Sequence, residues 1–125
     1  MKRKRCTVSD IMTYPFFKVP AFLFQGELKS GLSVDAKLLY SLLRDRNDLS
    51  ISNGWTNENG EVYIFFSRDE MCQMLGKSAK TVCVIMKELV KIGLVEEEQQ
   101  GLGKPNLIFL RYIENLENPS QSTDT

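Results

Sequence analysis

The chain has 125 residues, with 16 basic and 16 acidic side chains and therefore a formal net charge of zero. Its 42% of hydrophobic and 26% of charged residues are typical of one soluble globular domain with a real core. This balance excludes a protein that binds nucleic acid through global positive charge, so any DNA-binding surface must come from local clustering. No window is apolar enough to cross a membrane, and the basic start, Lys2–Arg5, lacks a following apolar signal core. We expect a cytoplasmic protein.

Residue types that carry chemistry are sparse. The chain has no histidine, and its three cysteines form no CxxC pair, which does not fit a zinc site. The stretch 101–104 (GLGK) is not a phosphate-binding loop, because Pro105 stands where Ser or Thr is needed. The carboxylates of 96–98 alternate across a predicted strand and do not share one face. We expect no catalytic residue, no metal, no cofactor and no enzymatic activity.

The chain divides into an arm, a domain and a tail. Residues 1–13 are basic and polar without periodicity, and they predict a flexible arm that either lies against DNA or is a disordered terminus. Residues 14–112 form the predicted domain. Residues 113–125 are polar and read as a tail or a linker to a C-terminal domain that is absent here.

The domain begins with a dense apolar cluster. Tyr14–Val19 is predicted to be extended, since the residue before a proline avoids helix, and Pro20 suits the first position of a short helix through Phe24. The cluster is either core or a subunit interface, where aromatic residues are enriched. Its members are Phe16, Phe17, Phe22, Leu23 and Phe24.

A helix, a loop and a strand are predicted next. Ser33 is the predicted N-cap of a helix whose buried stripe includes Ala36, Leu39, Tyr40, Leu42 and Leu43, with Arg44 and Arg46 near its end. Residues 47–60 are predicted to be a loop anchored by Trp55 and ending in the Asn59–Gly60 turn. Residues 61–66 form the clearest strand, which we expect to pair with two later strands.

Residues 67–93 predict a helix-turn-helix. Ser67 caps the first helix, which Gly76 ends in a left-handed conformation, and Ser78 caps the second. Apolar residues at helical spacing predict buried faces, and we expect the three methionines to fill the core. These residues are Met71, Met74 and Leu75 in the first helix and Val82, Ile85, Met86, Leu89 and Val90 in the second.

The outer face of the second helix carries the candidate DNA contacts. In helix-turn-helix proteins this helix lies in the major groove with its N-terminal residues nearest the bases, so Lys80, Thr81 and Val84 are candidate base readers. Lys77 and Lys87 are candidate phosphate contacts. Ser78, together with Thr81, can present a hydroxyl and backbone N–H groups to a phosphate.

A wing follows the second helix. Residues 94–98 and 107–111 predict two strands, and the loop between them has two glycines, a proline and an asparagine. Gln99, Gln100 and Lys104 in this loop are candidate DNA contacts, because wings often reach a minor groove. The predicted fold class is therefore α+β, a winged helix-turn-helix with a small antiparallel sheet.

Two classes of function stay open at this point. The pattern fits a protein that binds double-stranded DNA, such as a transcriptional regulator. It also fits a protein-interaction winged helix, since a fold does not fix a function.

Several sequence blocks resemble the RepA_N family, the replication initiators of plasmids from Gram-positive bacteria. The most specific blocks are AKLLYSLLRDRNDLS at 36–50, NGW with the following NGEVYI at 53–64, and GLGKPN at 101–106. The resemblance implies a winged-helix domain that binds repeated double-stranded sites in a plasmid origin through 78–91 and the wing at 99–106. It also implies homodimers or higher assemblies, and host replication proteins bound by a separate C-terminal domain.

Overall fold

The computed structural model describes residues 1–113. Its helices are α1 (Val8–Thr13), a 3-10 helix (Ala21–Phe24), α2 (Leu28–Gly31), α3 (Val34–Ser52), α4 (Arg68–Leu75) and α5 (Ala79–Lys91), followed by the strands β1 (Val95–Glu98) and β2 (Leu107–Leu110). Two helices joined by a tight turn and followed by an antiparallel hairpin form a winged helix-turn-helix, so the predicted fold class is confirmed. Within residues 1–113 no helix is both long and apolar enough to cross a membrane.

Helix α3 is the central element of the core. Ser33 caps it as predicted, its Oγ accepting the N–H of Ala36 at 3.1 Å. Four of the five predicted stripe residues are buried, and Leu42 is half-buried. The buried core residues contributed by α3, α4, α5 and the strands are Ala36, Leu39, Tyr40, Leu43, Met71, Val82, Ile85, Met86, Leu89, Val95 and Ile108.

The predicted loop after α3 begins too early. The helix continues through residues 47–52, because the ladder of backbone hydrogen bonds outweighs the weak helix preference of Asn and Ser there. Arg44 and Arg46 therefore lie inside the helix and not at its end. Arg44 forms an ion pair with Asp48 at 3.1 Å, and Arg46 stacks on the Phe66 ring at 4.2 Å.

Two apolar predictions are wrong for individual residues. Met74 is 49% exposed and Val90 is 44% exposed, whereas Met71 and Met86 fill the core as expected. Both exposed residues lie at the edge of an apolar helical stripe, where a pattern of three and four residues does not separate buried from solvent-facing positions.

The N-terminal region departs from the prediction in two ways. A capping box between Thr7 and Asp10 starts helix α1 where a flexible arm was predicted, and every residue of α1 is exposed. The core interpretation of the aromatic cluster is wrong for three of its members. Leu23 is buried and Phe22 packs edge-on against Tyr40 at 5.6 Å. Phe16, Phe17 and Phe24 are each more than half exposed.

The predicted third strand does not form as a regular strand. In residues 1–113 the sheet consists of β1 and β2, and 61–66 joins it through one bridge, Ile64 to Ile108. Two other backbone groups of this segment bond back to the preceding loop, with the Tyr63 N–H donating to the Trp55 carbonyl at 3.2 Å and the Glu61 carbonyl accepting the Asn57 N–H at 3.0 Å. The Phe65 carbonyl accepts from Arg46 of α3 at 3.2 Å. The Asn59–Gly60 turn is confirmed by φ +77° at Gly60, and Trp55 packs edge-on against Phe65.

Candidate nucleic-acid interface

Local capping sets the turn between α4 and α5. The Ser67 Oγ accepts the N–H of Glu70, and the Glu70 carboxylate accepts the N–H of Ser67, each at 3.1 Å. This hydrogen bond from the Ser67 N–H, aided by Arg46, lowers the pKa of Glu70 against the opposing effect of partial burial. Gly76 has φ +66°, a left-handed conformation that reverses the chain after α4. Ser78 then caps α5, accepting the N–H of Thr81 at 3.3 Å, so the three predicted helix-terminus signals are confirmed.

Helix α5 has a buried face and an exposed face. The predicted apolar residues Val82, Ile85, Met86 and Leu89 pack into the core. On the opposite side, Val84 is 59% exposed, and Lys80 and Lys87 are also exposed. An exposed valine among lysines has no packing role, and an apolar side chain at such a position is suited to a thymine methyl group.

The N-terminal end of α5 carries the remaining candidate DNA contacts, close to Lys80 and Val84. Lys77 and Ser78 are exposed, and Thr81 is half-buried. The Ser78 hydroxyl donates to the Thr81 hydroxyl at 3.1 Å, which fixes both at the helix N-terminus. The helix N-terminus presents backbone N–H groups and the positive end of the helix dipole, a suitable environment for a phosphate.

The wing loop carries the other candidate DNA contacts, and one of these residues, Gln100, bonds within the loop. Gln99, Gln100 and Lys104 are exposed, but the Gln100 amide donates to the Pro105 carbonyl at 2.8 Å and so braces the loop. Leu102 at the tip is fully exposed.

Two of the three wing carboxylates are neutralised by arginines. Glu96 pairs with Arg111 at 2.6 Å, and Glu97 pairs with Arg68 at 2.7 Å. Burial works against the charge on Arg68, but the hydrogen bond and charge of Glu97 outweigh it and raise the pKa of the guanidinium. These ion pairs reduce the repulsion that the acidic strand would exert on a phosphate backbone.

Helix α5 is also tied to the start of α3. The Glu88 carboxylate accepts the Ser33 N–H at 2.6 Å and the Ser33 hydroxyl at 2.8 Å. It therefore places negative charge at the N-terminus of α3, where the helix dipole favours it. This contact fixes the exposed face of α5 relative to the body of the domain.

Sequence reasoning missed three exposed or half-exposed side chains at this surface. Lys91 lies seven and four residues after Val84 and Lys87, so the helical spacing alone could have found it. Arg68 is brought to α5 by tertiary packing and had no sequence signal. Leu102 stands in a loop flanked by glycines, and the sequence carries no other signal that its side chain is exposed.

This arrangement of α4, a glycine turn, α5 with an exposed cationic face, and a β-hairpin defines a winged helix-turn-helix domain. Residues 15–123 match the family described as the N-terminus of replication initiator protein A, RepA. The chain belongs to this family, RepA_N, and the resemblance noted in its sequence is confirmed.

A curated relative and several solved structures are similar to the chain. It is 31% identical over 103 residues to a 41 kDa protein of Lactobacillus helveticus, which covers 82% of the chain but only 29% of that protein. A structure described as the N-terminal domain of a DNA-binding protein has 30% identity and a TM-score of 0.76, covering 98% of this chain and 94% of the other. A Rep-DNA complex has 30% identity and a TM-score of 0.75, covering 97% and 93%. An MDR initiator has 29% identity and a TM-score of 0.72, covering 97% and 96%.

Proposed function

We propose that the chain is the DNA-binding domain of a plasmid replication initiator that binds repeated double-stranded sites in the plasmid origin sequence-specifically. The observation that carries this proposal is the exposed face of α5, where Lys80, Val84 and Lys87 project from a helix whose opposite face is buried. The structural similarity to the Rep-DNA complex supports it.

In this proposal the interface residues have two roles. Lys80, Thr81 and Val84 read base edges in the major groove, because they lie in the N-terminal half of α5. Phosphate contacts supply the salt-dependent affinity. They come from Lys77, Lys80, Lys87 and Lys104, while Ser78 presents its hydroxyl to a phosphate and Gln99 and Gln100 of the wing reach the minor groove.

In this proposal the chain binds DNA and does no chemistry. Exposed Phe16 and Phe17 support a homodimer or higher oligomer, since large aromatic side chains are enriched at protein interfaces. We place host replication proteins on a C-terminal domain outside this chain, and the site of action in the cytoplasm, where a plasmid is replicated.

Fluorescence anisotropy tests this function. The domain is titrated into a labelled duplex carrying the origin repeats and into a scrambled duplex of equal composition, across a salt series. We expect tight, salt-sensitive binding that prefers the repeats. Weak and equal binding to both duplexes would instead favour a winged helix used for protein assembly, in which the aromatic surface is the functional one.

A further inference from the structure

A groove of about 360 Å³ runs between α5 and β1. Met86 and Val90 form its apolar walls, and Arg68, Lys87 and Lys91 line it together with the carboxylate Glu97. Among these described lining residues, three carry positive charge and one carries negative charge. The groove therefore presents net positive charge next to the exposed face of α5.

Glu97 holds Arg68 in one orientation. The Nη2 of Arg68 donates to the Glu97 Oε1 at 2.7 Å, and the Nη1 lies 3.9 Å from the Met71 sulfur. The Arg68 side chain is nevertheless 36% exposed. A guanidinium has five N–H donors in a rigid fork, so donors beyond those facing Glu97 can bind an anion without reorganisation.

Lys91 continues the exposed stripe of α5 into this groove. Lys80, Val84, Lys87 and Lys91 follow one another at steps of four, three and four residues, so their side chains lie on one side of the helix. The stripe is roughly 16 Å long at 1.5 Å per residue. It begins at the proposed base-reading positions and ends at the groove. In homeodomains, which are also helix-turn-helix proteins, the C-terminal end of the recognition helix contacts the DNA backbone.

We propose that this groove is a second phosphate-binding site for the DNA backbone, in which Arg68 and Lys91 act with Lys87 and Glu97 is a positioning residue that orients Arg68. The ligand is a phosphodiester of the bound duplex, held by a guanidinium and two ammonium groups. This inference rests on the proposed function. It adds phosphate contacts near the C-terminal end of α5.

The first test is the salt dependence of DNA binding by Lys91→Ala and Arg68→Ala. Each substitution is expected to lower the slope of log affinity against log salt by about 1, and to weaken binding to the origin and scrambled duplexes equally, as a phosphate contact should. Lys29→Ala, which removes an exposed lysine on α2 outside the groove, is the matched control and should leave the slope unchanged.

The second test addresses Glu97. If Glu97 positions Arg68, Glu97→Leu, which removes the oxygen that accepts from Arg68, should weaken binding and reduce the slope toward that of Arg68→Ala, although it removes a negative charge. The double substitution should then bind no more weakly than Arg68→Ala alone. Unchanged or tighter binding by Glu97→Leu would overturn the positioning role of the carboxylate.

Folding controls separate a loss of DNA binding from a loss of folded structure. Thermal unfolding is followed for every variant, and Arg68→Gln, which keeps N–H donors for Glu97 but loses the positive charge, replaces Arg68→Ala if the latter does not fold. If the unchanged chain binds the origin duplex with salt-sensitive affinity while Lys91→Ala and the folded Arg68 variant keep its slope, the groove proposal alone is overturned. An unchanged chain that shows no DNA binding would overturn the proposed function and the groove with it.

Discussion

Lys80 is the side chain whose position best tests base reading. It is exposed in the first turn of α5, just after the Ser78 cap, and its loss should leave the core intact. If it contacts a base, Lys80→Ala should weaken binding to the origin repeats by about 1–3 kcal/mol more than binding to a scrambled duplex. Anisotropy with both duplexes measures this difference. An equal loss on both would assign Lys80 to a phosphate.

Tyr40 should make the stability of the domain fall at alkaline pH. Its hydroxyl donates to the Arg111 carbonyl at 2.7 Å, and burial raises its pKa to about 12, against a smaller opposing effect of Arg44. The unfolded tyrosine ionises near pH 10, so the stabilisation is complete below pH 10 and is lost as the pH rises toward 12.

Between pH 10 and 12 the free energy of unfolding should therefore fall less for Tyr40→Phe than for the unchanged chain. At neutral pH it should be less stable by about 1 kcal/mol, the usual contribution of one hydrogen bond. Urea unfolding at a series of pH values checks both statements, with the exposed Tyr14→Phe as control. A constant difference between the two chains across this pH range would contradict the prediction.

At the residue scale, sequence reasoning succeeded where the cause is local. Ser33, Ser67 and Ser78 were predicted as caps because a hydroxyl before an amphipathic run acts on backbone only two or three residues away. Arg68 was missed because its partner Glu97 is 29 residues distant. The exposed Phe16 was assigned to the core or to an interface because an aromatic residue looks the same in sequence in either environment.

At the scale of elements, the contact between α3 and α5 makes a measurable contribution to stability. The Glu88 carboxylate accepts two hydrogen bonds from Ser33 at the N-terminus of α3. Glu88→Ala should lower the unfolding free energy by about 1–2 kcal/mol, since both the bonds and the favourable helix-dipole interaction are lost. Urea unfolding measures it, with the exposed Glu58→Ala as control. A loss no larger than that of the control would mean that solvent replaces the carboxylate without cost.

The bounds of some helices and strands were predicted correctly, and others were not. The α4–turn–α5 unit and both wing strands follow from periodicity and glycine positions, and the structure agrees within one or two residues. The end of α3 and the nature of 61–66 depend on which backbone groups find partners in the folded chain. A β-rich sequence does not specify whether its N–H groups pair with the wing or with its own loop.

For the whole molecule, the exposed aromatic surface predicts self-association. Phe16 is 70% exposed and Phe17 is 51% exposed, so replacing both with serine should cost little folding stability. If they form the proposed subunit interface, the double variant should sediment as a monomer at concentrations where the unchanged chain is a dimer. Leu38→Ser, an exposed apolar residue on α3, is the control. An unchanged sedimentation coefficient would place the interface elsewhere.

The bridge between Ile64 and Ile108 has a consequence for the rate at which the wing opens to solvent. The two residues exchange hydrogen bonds of 2.9 and 3.0 Å, and both side chains are buried. Their amide protons should therefore exchange with deuterium slowly and at matching rates, because neither bond can break without exposing the other. The loop from Gly101 to Lys104 lies beyond this pair and should exchange far faster. The hairpin would then reorient on contact with a duplex by pivoting at a fixed point, without disturbing the core.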